Sequence, residues 1–255
     1  MSDWNPALYL KFKNERTQPS IDLVSRINLD NPKTIIDIGC GPGNSTEILL
    51  NKWPQSQLEG IDNSPAMISK AQADYPQQQW AIQDAAKLDP VQQYDLVFSN
   101  ATIQWLPNHE QLLLDFLKIT KDKGALAIQI PLFYEMPVAG LMDTLFKRKY
   151  PDIAFDINTI FTFHSSSFYY DALIKHVSKL DLWETTYMHS MDSYQAIVDM
   201  IKSTGMKPYL DQLPNDQEKQ AFEADVLAGL KTIHPQQANG KVLFPFKRLF
   251  FVAYK

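Results

Sequence analysis

Hydrophobic and polar positions follow two different periods in the first half of the chain. Short apolar or β-branched runs predict strands at residues 34–38, 57–61, 80–82, 94–98 and 125–130. Between and before these runs, amphipathic segments predict helices at residues 19–27, 44–52, 64–74 and 108–120. Strands that alternate with helices in this way predict an α/β fold, with a doubly wound parallel sheet and helices on both faces.

Local signals suggest where several of these elements begin and end. Ser64 followed by Pro65 is a typical helix start. Asn108 is a candidate N-cap, and Gln111 is placed to complete a capping box. Gly124 is a candidate stop for the helix that Asn108 begins. Because His109 falls at that helix start, we expect it to be exposed.

The alternation weakens after residue 131. Residues 132–168 are rich in aromatic side chains and interrupted by prolines. Beyond them the pattern predicts a helix at 167–178, a strand at 182–187, helical stretches over 192–232 and a last strand at 249–254. The block 192–240 therefore predicts a helical cap inserted before the last strand.

Composition and charge exclude several kinds of protein. The 255 residues carry 24 Lys and Arg against 29 Asp and Glu, and affinity for nucleic acid needs a basic surface. The single cysteine, Cys40, and five histidines without metal-ligand spacing argue against a metal site. The first residues show no basic segment followed by an apolar run, so we expect no signal peptide, and no apolar run is long enough to span a membrane. We therefore expect a cytoplasmic monomer with no nucleic-acid partner, no membrane partner and no metal.

A glycine-rich loop is the most informative feature of the sequence. Gly39, Gly41 and Gly43 lie between the first predicted strand and the helix after it, where open α/β sheets bind ligands. Their spacing differs from the G-x-G-x-x-G of dinucleotide sites. Asp37 precedes them, and Pro42 removes an N–H group that a phosphate could use. The loop therefore predicts a ligand with a cationic end.

Two more aspartates follow the next strands. Asp62 ends the second predicted strand, 19 residues after Gly43, where a carboxylate can accept both ribose hydroxyls. It also lies in the cap region of the next helix, and both roles are compatible. Asp84 ends the third predicted strand, where it either faces an adenine amino group or is an ordinary loop aspartate.

These residues carry a resemblance to known proteins. Asp37–Asn44, Gly60–Ile68 and Asp84 resemble the successive motifs of class I S-adenosylmethionine-dependent methyltransferases. Further segments resemble one family of that class, the trans-aconitate 2-methyltransferases: Trp4–Pro6 with Tyr9, Phe12, Arg16 and Pro19, then Asn100–Pro107, Trp183–Tyr187, Ser203–Leu210 and Phe246–Phe250. Nearly the whole chain is covered, although 132–165 matches poorly.

The resemblance implies a fold and a cofactor. The fold is a Rossmann-like methyltransferase sheet of seven strands with an antiparallel last strand, and the cofactor is S-adenosylmethionine. We expect an N-terminal helical lid at 1–30, a cofactor-binding α/β domain at 31–191, the helical cap at 192–240 and the final strand of the α/β domain at 241–255.

The resemblance also assigns cofactor contacts by position. At the methionine end it implies Asn100 and Ala101, and Asp37 either meets that end or orients the loop. Arg16 is a candidate for either the cofactor or the acceptor carboxylate. It implies that Gly39 and Gly41 let the cofactor approach the backbone closely, and that Asp62 binds the ribose hydroxyls. The positions implied beside the adenine are Asn63, Met67, Asp84 and Ala85.

The implied reaction is methyl transfer to a carboxylate oxygen, which gives a monomethyl ester. A free carboxylate has a pKa near 4 and is already ionised, so no catalytic base is required. Catalysis then depends on positioning, for which we expect Arg248, Tyr187 and Trp105. The acceptor contacts that we expect are Tyr9, Trp105, Tyr187, Lys207, Tyr209 and Arg248.

Three alternatives stay open from the sequence. One is a class I methyltransferase with another carboxyl acceptor, such as a malonyl thioester on a carrier protein. Another is a nucleotide-dependent oxidoreductase, which the glycine spacing disfavours. The last is a protein that holds the cofactor without turnover.

Overall fold

The computed structural model describes residues 13–255, and side chains from residue 17 onward. The helices are α1 (Lys13–Arg26), α2 (Asn44–Lys52), α3 (Pro65–Asp74), α4 (His109–Lys118), α5 (Pro137–Lys149), α6 (Ser166–Leu173), α7 (Tyr194–Lys202), α8 (Lys207–Leu210) and α9 (Asp216–Ile233). The strands are β1 (Thr34–Ile38), β2 (Gln57–Asp62), β3 (Gln79–Ile82), β4 (Tyr94–Asn100), β5 (Thr120–Pro131), β6 (Lys179–Met191) and β7 (Val242–Tyr254). Within residues 13–255, every helix is too short or too polar to cross a membrane.

The strands form one seven-stranded sheet in the order β3-β2-β1-β4-β5-β7-β6. Strands β1 to β5 are parallel to one another. The last strands are antiparallel: Lys255 N donates to Gly124 O, and Leu132 N donates to Lys247 O. The expected doubly wound methyltransferase sheet with an antiparallel last strand and added helices is therefore confirmed. Strand order reverses between β1 and β4, which is where such sheets bind ligands.

The chain divides into two compact units. Of the described residues, unit A comprises 13–130, 164–184 and 249–255, and unit B comprises 131–163 and 185–248. In unit A the core contains Ile35 and Ile38 of β1 and Leu96 of β4, all fully buried. In unit B the core contains an aromatic cluster, in which the Phe146 ring lies 5.5 Å from that of Phe222.

Asn108 holds the N-cap position of α4 as predicted, but the capping box with Gln111 and the stop at Gly124 are both wrong. Asn108 adopts a left-handed conformation with φ of 55° and makes no side-chain capping hydrogen bond. Gln111 bonds to Asp115 on its own helix instead of closing a capping box. Gly124 lies inside β5, where a Cβ would be 2.7 Å from the backbone oxygen of Asp95, so this position requires glycine. By contrast, Ser64 does cap α3, since its hydroxyl accepts a bond from Met67 N at 3.3 Å.

Candidate functional site

Parallel pairing brings the ends of three strands to one edge of the sheet. In the register of the sheet, Asp37 lies opposite Gly60 on β2 and opposite Phe98 on β4. Both Gly39 N and Cys40 N donate to Ile61 O, at 2.8 and 3.0 Å. The glycine loop that follows β1 is therefore fixed on the end of β2.

The three glycines of this loop are required for different reasons. All have positive φ, at 73°, 55° and 95° for Gly39, Gly41 and Gly43. A Cβ at Gly39 would lie 2.1 Å from Thr102 Oγ1, and one at Gly43 would lie 2.8 Å from the ring of Tyr75. A Cβ at Gly41 would meet no described atom within 4 Å. Gly41 is thus the loop position at which a ligand has room to approach the backbone.

Cys40 lies between two of these glycines and is buried. Burial raises the pKa of its thiol far above the ordinary value, and the nearby Asp37 and Asp62 charges add to the effect. The side chain therefore stays protonated, as expected for a packing residue.

The carboxylate of Asp37 is fully buried, and one of its two oxygens is hydrogen-bonded to neighbouring side chains. Its Oδ2 accepts hydroxyl bonds from Ser45 and Thr46, both at 2.7 Å. Its Oδ1 is buried and has no hydrogen-bond partner among the described residues. Burial raises the pKa of Asp37 from 3.8 to about 6, against the opposing effect of the two hydroxyls. A buried oxygen of this kind is stabilised by a ligand that brings an N–H group or a positive charge.

Two further open acceptors follow β4. Asn100 Oδ1 and Gln104 Oε1 are buried and lack hydrogen-bond partners in the part of the chain that the structure describes. The amide nitrogen of Gln104 donates to Ala101 O at 2.7 Å. Ala101 has a φ of 55°, an uncommon conformation for alanine. Together with Asp37, these groups provide three acceptors, which suits the three N–H donors of an ammonium. The residues present therefore fit the amino-acid end of the implied cofactor.

Asp62 already serves the loop and the next helix. One of its oxygens accepts Gly41 N at 3.0 Å, and the other accepts Ser64 N at 2.9 Å. Each carboxylate oxygen has two lone pairs, so capacity for ribose hydroxyls remains. The cap-region role is therefore observed, and the ribose role stays a prediction.

The expected adenine contacts lie in two environments. Met67 is buried at the start of α3, beside the exposed Asn63. Asp84 is exposed, and its oxygens bond Ala86 N at 3.0 Å and pair with Lys87 Nζ at 3.4 Å. Ala85 is half-buried. These bonds are those of an ordinary loop aspartate, and the contact of Asp84 with adenine stays a prediction.

Two of the expected acceptor residues come together in unit B. Arg248 on β7 is only 4% exposed. Its guanidinium carbon lies 4.4 Å from the ring centre of Phe246 and 6.0 Å from that of Tyr187 on β6. The half-buried Tyr187 ring is nearly parallel to that of His189, with centres 6.0 Å apart. A buried arginine among aromatic rings is a strong site for a carboxylate.

Lys207 and Tyr209 have other contacts. Lys207 Nζ pairs with Asp211 at 2.8 Å, one helical turn away. Tyr209 is 2% exposed, and its ring packs against Phe146 with centres 5.4 Å apart. Burial raises the pKa of its phenol. Charge and hydroxyl are thus less available at these positions than the sequence led us to expect.

Three expected residues remain to be placed: Trp105, Arg16 and Tyr9. Trp105 is half-buried in the short 3-10 turn Ile103–Trp105 of unit A. Arg16 lies within α1, but its side chain is outside the described residues. Tyr9 lies entirely outside them.

Sequence reasoning missed His109 and Gln104. The expectation that His109 is exposed is wrong, because it is 1% exposed and bonded on both ring nitrogens. Burial lowers its pKa to about 4. Gln104 entered the sequence analysis only as a member of the segment Asn100–Pro107, without a role of its own. The available signal was a polar side chain between apolar ones in a short turn.

Comparison with known proteins places the chain among methyltransferases. Residues 35–124 match the family model of a methyltransferase domain. A trans-aconitate 2-methyltransferase of Escherichia coli K12 is 41% identical over 254 residues, which cover 99% of this chain and 98% of that protein. The corresponding enzyme of Escherichia coli O157:H7 is equally similar, at 41% over the same share of both chains.

Solved structures of lower sequence similarity share the fold. A putative methyltransferase from Bacillus halodurans superposes with a TM-score of 0.59 at 12% identity, over 93% of this chain and 99% of that one. The phosphoethanolamine N-methyltransferase 2 of Haemonchus contortus, in complex with S-adenosylmethionine, gives a TM-score of 0.55 at 14% identity, over 93% of this chain and 52% of that one.

Proposed function

Because the chain belongs to the trans-aconitate 2-methyltransferase family, we propose that it methylates a carboxylate of trans-aconitate or of a close polycarboxylate. The chain is an S-adenosylmethionine-dependent methyltransferase, and S-adenosylmethionine is its cofactor. The proposed product is a monomethyl ester. Three statements about the reaction are proposals: the identity of the acceptor, the residues that position it and the absence of a catalytic base.

The edge of the sheet beyond β1, β2 and β4 supports the cofactor contacts of this proposal. When bound, S-adenosylmethionine supplies a methyl group on a positively charged sulfur, which an oxygen nucleophile can attack. The open oxygens of Asp37, Asn100 and Gln104 would accept from its ammonium group. Asp62 would accept from the ribose hydroxyls, and Gly41 leaves room for close approach.

The single observation that favours an anionic acceptor is the buried position of Arg248. A guanidinium binds a carboxylate through two parallel hydrogen bonds, which sets the orientation of the carboxylate as well as its affinity. At 4% exposure, Arg248 is largely withdrawn from water, so its attraction for an anion is little screened. Tyr187 beside it would add an aromatic wall.

The proposed chemistry needs no proton transfer. A carboxylate acceptor is ionised at neutral pH, so the chain has only to orient it and exclude water. Water exclusion matters because hydration stabilises both the carboxylate and a charged methyl donor. Arg248, Tyr187 and Trp105 are the positioning residues that we propose. Lys207 and Tyr209 remain candidates for weaker acceptor contacts.

The expected organisation is also part of the proposal. We propose that 31–191 with 241–255 form the cofactor-binding domain and that 192–240 act as a cap. The proposed lid, residues 1–30, includes residues 1–12, which lie outside the described part of the chain. We further expect a monomer, which light scattering at assay concentrations would test.

An end-point assay tests the reaction and the acceptor together. The protein would be incubated with S-adenosylmethionine and, separately, trans-aconitate, cis-aconitate, isocitrate, citrate and itaconate. Mass spectrometry would follow both S-adenosylhomocysteine and the methyl ester. We expect turnover on trans-aconitate. Turnover on a malonyl thioester carried by a protein, with none on the acids, would replace the proposed acceptor.

The matched variants Arg248→Gln and Arg148→Gln test the acceptor contact. Arg148 is exposed on α5, so its loss should leave the kinetics unchanged. Loss of a charged hydrogen-bond partner should raise the acceptor KM of Arg248→Gln by roughly ten- to a hundredfold, without changing the affinity for S-adenosylhomocysteine. An unaltered KM in Arg248→Gln would remove Arg248 from the site.

A further inference from the structure

The segment between β4 and α4, residues 101–108, is held by side chains of unit A. We call it the β4–α4 turn. Thr102 Oγ1 donates to Asn100 O at 3.2 Å, and Gln104 Nε2 donates to Ala101 O at 2.7 Å. A third bond comes from outside the turn, where His109 contacts the carbonyl of Ile103. The backbone that carries Gln104 and Trp105 is therefore set by hydrogen bonds on both sides.

The carbonyl of Ile103 fixes the protonation of His109. It accepts Leu106 N at 2.9 Å and lies 2.8 Å from His109 Nε2. Because a carbonyl only accepts, Nε2 must carry the ring proton. The other nitrogen, Nδ1, is then the acceptor for the hydroxyl of Tyr169, at 2.6 Å. His109 is a neutral imidazole that joins the turn to α6.

The partner of His109 is itself firmly placed. Tyr169 is 1% exposed on α6, and its ring stacks on Phe251 with centres 5.5 Å apart. The ring of His164 lies 5.2 Å from that of His109 and 6.0 Å from that of Tyr169. Tyr169 and His164 are the titratable groups around the imidazole, and burial lowers the pKa of both histidines. A charged imidazole is disfavoured in this surrounding.

We infer that His109 and Tyr169 are a pair of positioning residues, which tie the β4–α4 turn to α6 and so hold Gln104 and Trp105 for the reaction. Neither residue is assigned a chemical step. The part that concerns Trp105 rests on the proposed function, because Trp105 is a proposed acceptor contact. The part that concerns Gln104 needs only the binding of the cofactor.

The first test compares two neighbouring tyrosines of α6. Tyr169→Phe removes only the hydroxyl that Nδ1 accepts, while Tyr170→Phe removes an exposed one. We expect the calorimetric Kd for S-adenosylhomocysteine to rise roughly tenfold in Tyr169→Phe, since a buried acceptor loses its partner, and to stay unchanged in Tyr170→Phe. Protein that is irreversibly misfolded would lower the binding stoichiometry and leave this Kd unchanged, whereas reversible unfolding, which also raises the apparent Kd, would be visible in a thermal melt at the titration temperature. An unchanged Kd at full stoichiometry in Tyr169→Phe would overturn the inference.

The second test uses the unaltered protein and is independent of the acceptor. In ¹⁵N NMR of the imidazoles, His109 should carry its proton on Nε2 and should not titrate between about pH 5 and 8. The His109→Gln variant assigns its signal. A proton on Nδ1, or titration near the ordinary value, would refute the pair. Failure to methylate any acid would refute the proposed function but would leave both readouts intact.

Rescue separates positioning from packing. The amide of His109→Gln offers a donor and an acceptor at about the spacing of the two ring nitrogens, whereas His109→Leu offers neither. We expect His109→Gln to keep the Kd for S-adenosylhomocysteine within roughly threefold and His109→Leu to match Tyr169→Phe. Equal losses in Gln and Leu variants of equal stability would contradict the inference.

Discussion

The buried carboxylate of Asp37 should have two opposite effects. Its charge should make the protein without cofactor less stable, and it should increase the affinity for the cofactor. Its pKa is 3.8 in an unfolded chain and about 6 in the folded protein, so the folded state binds more protons between these values. Stability is therefore lost as pH rises through this window, and the loss is complete above it. Each pKa unit corresponds to about 1.4 kcal/mol, so the charged group costs the folded state about 3 kcal/mol at pH 8.

The substitution Asp37→Asn tests this reasoning directly. The asparagine carbonyl can still accept from Ser45 and Thr46, while the charge is removed. We expect the variant to gain up to about 3 kcal/mol in the free energy of unfolding at pH 8, and little at about pH 4. Urea unfolding at both pH values would measure the difference. The exposed Asp171→Asn is the matched control.

The same variant should lose cofactor affinity. Without the carboxylate, the ammonium loses a charged acceptor, and the Kd for S-adenosylhomocysteine should rise roughly ten- to a hundredfold. In the unaltered protein this affinity should fall below about pH 6, because protonated Asp37 no longer attracts the ammonium. A variant that shows the pH dependence and the affinity of the unaltered protein would refute the reasoning.

Two further perturbations test the loop. Gly41→Ala should lose about 1 kcal/mol of stability from its positive φ but bind S-adenosylhomocysteine at least roughly tenfold more weakly, whereas Gly39→Ala, which collides with Thr102, should lose about 3 kcal/mol. Thermal melts and calorimetry would separate the two, and equal stability losses would contradict the assignment. Asp62→Asn should weaken binding by roughly tenfold. Unchanged binding in that calorimetric titration would refute the ribose role of Asp62.

The inner strands could be predicted closely because a run of neighbouring apolar residues is enough to indicate that they are buried. β1 has the predicted bounds, since a strand buried on both faces is a continuous apolar run. The outer strands are longer than predicted. β7 begins at Val242, but Lys247 and Arg248 interrupt its apolar run, so only its last residues read as a strand. The prolines after residue 131 predict interruptions of regular structure, although Pro137 opens α5 at the position that favours proline.

Some residues of the candidate site could also be predicted from the local sequence, and others could not. The positions of the glycine loop and of Asp62 follow from strand ends, which the pattern locates. The burial of His109 depends on Tyr169, which lies 60 residues away along the chain. The open oxygen of Gln104 depends on the left-handed turn at Ala101, which no propensity of alanine indicates. Contacts of this kind are set by tertiary packing and are not encoded in a local pattern.

The buried thiol in the glycine loop has a practical consequence. Oxidation and alkylation both proceed through the thiolate, and the raised pKa of Cys40 leaves almost none of it at neutral pH. Peroxide or a maleimide should therefore leave the loop unmodified. Since this is the chain's one cysteine, a second cysteine introduced on an exposed helix would take a spectroscopic label selectively. Motions of residues 192–240 or of the β4–α4 turn could then be followed without first removing the native thiol.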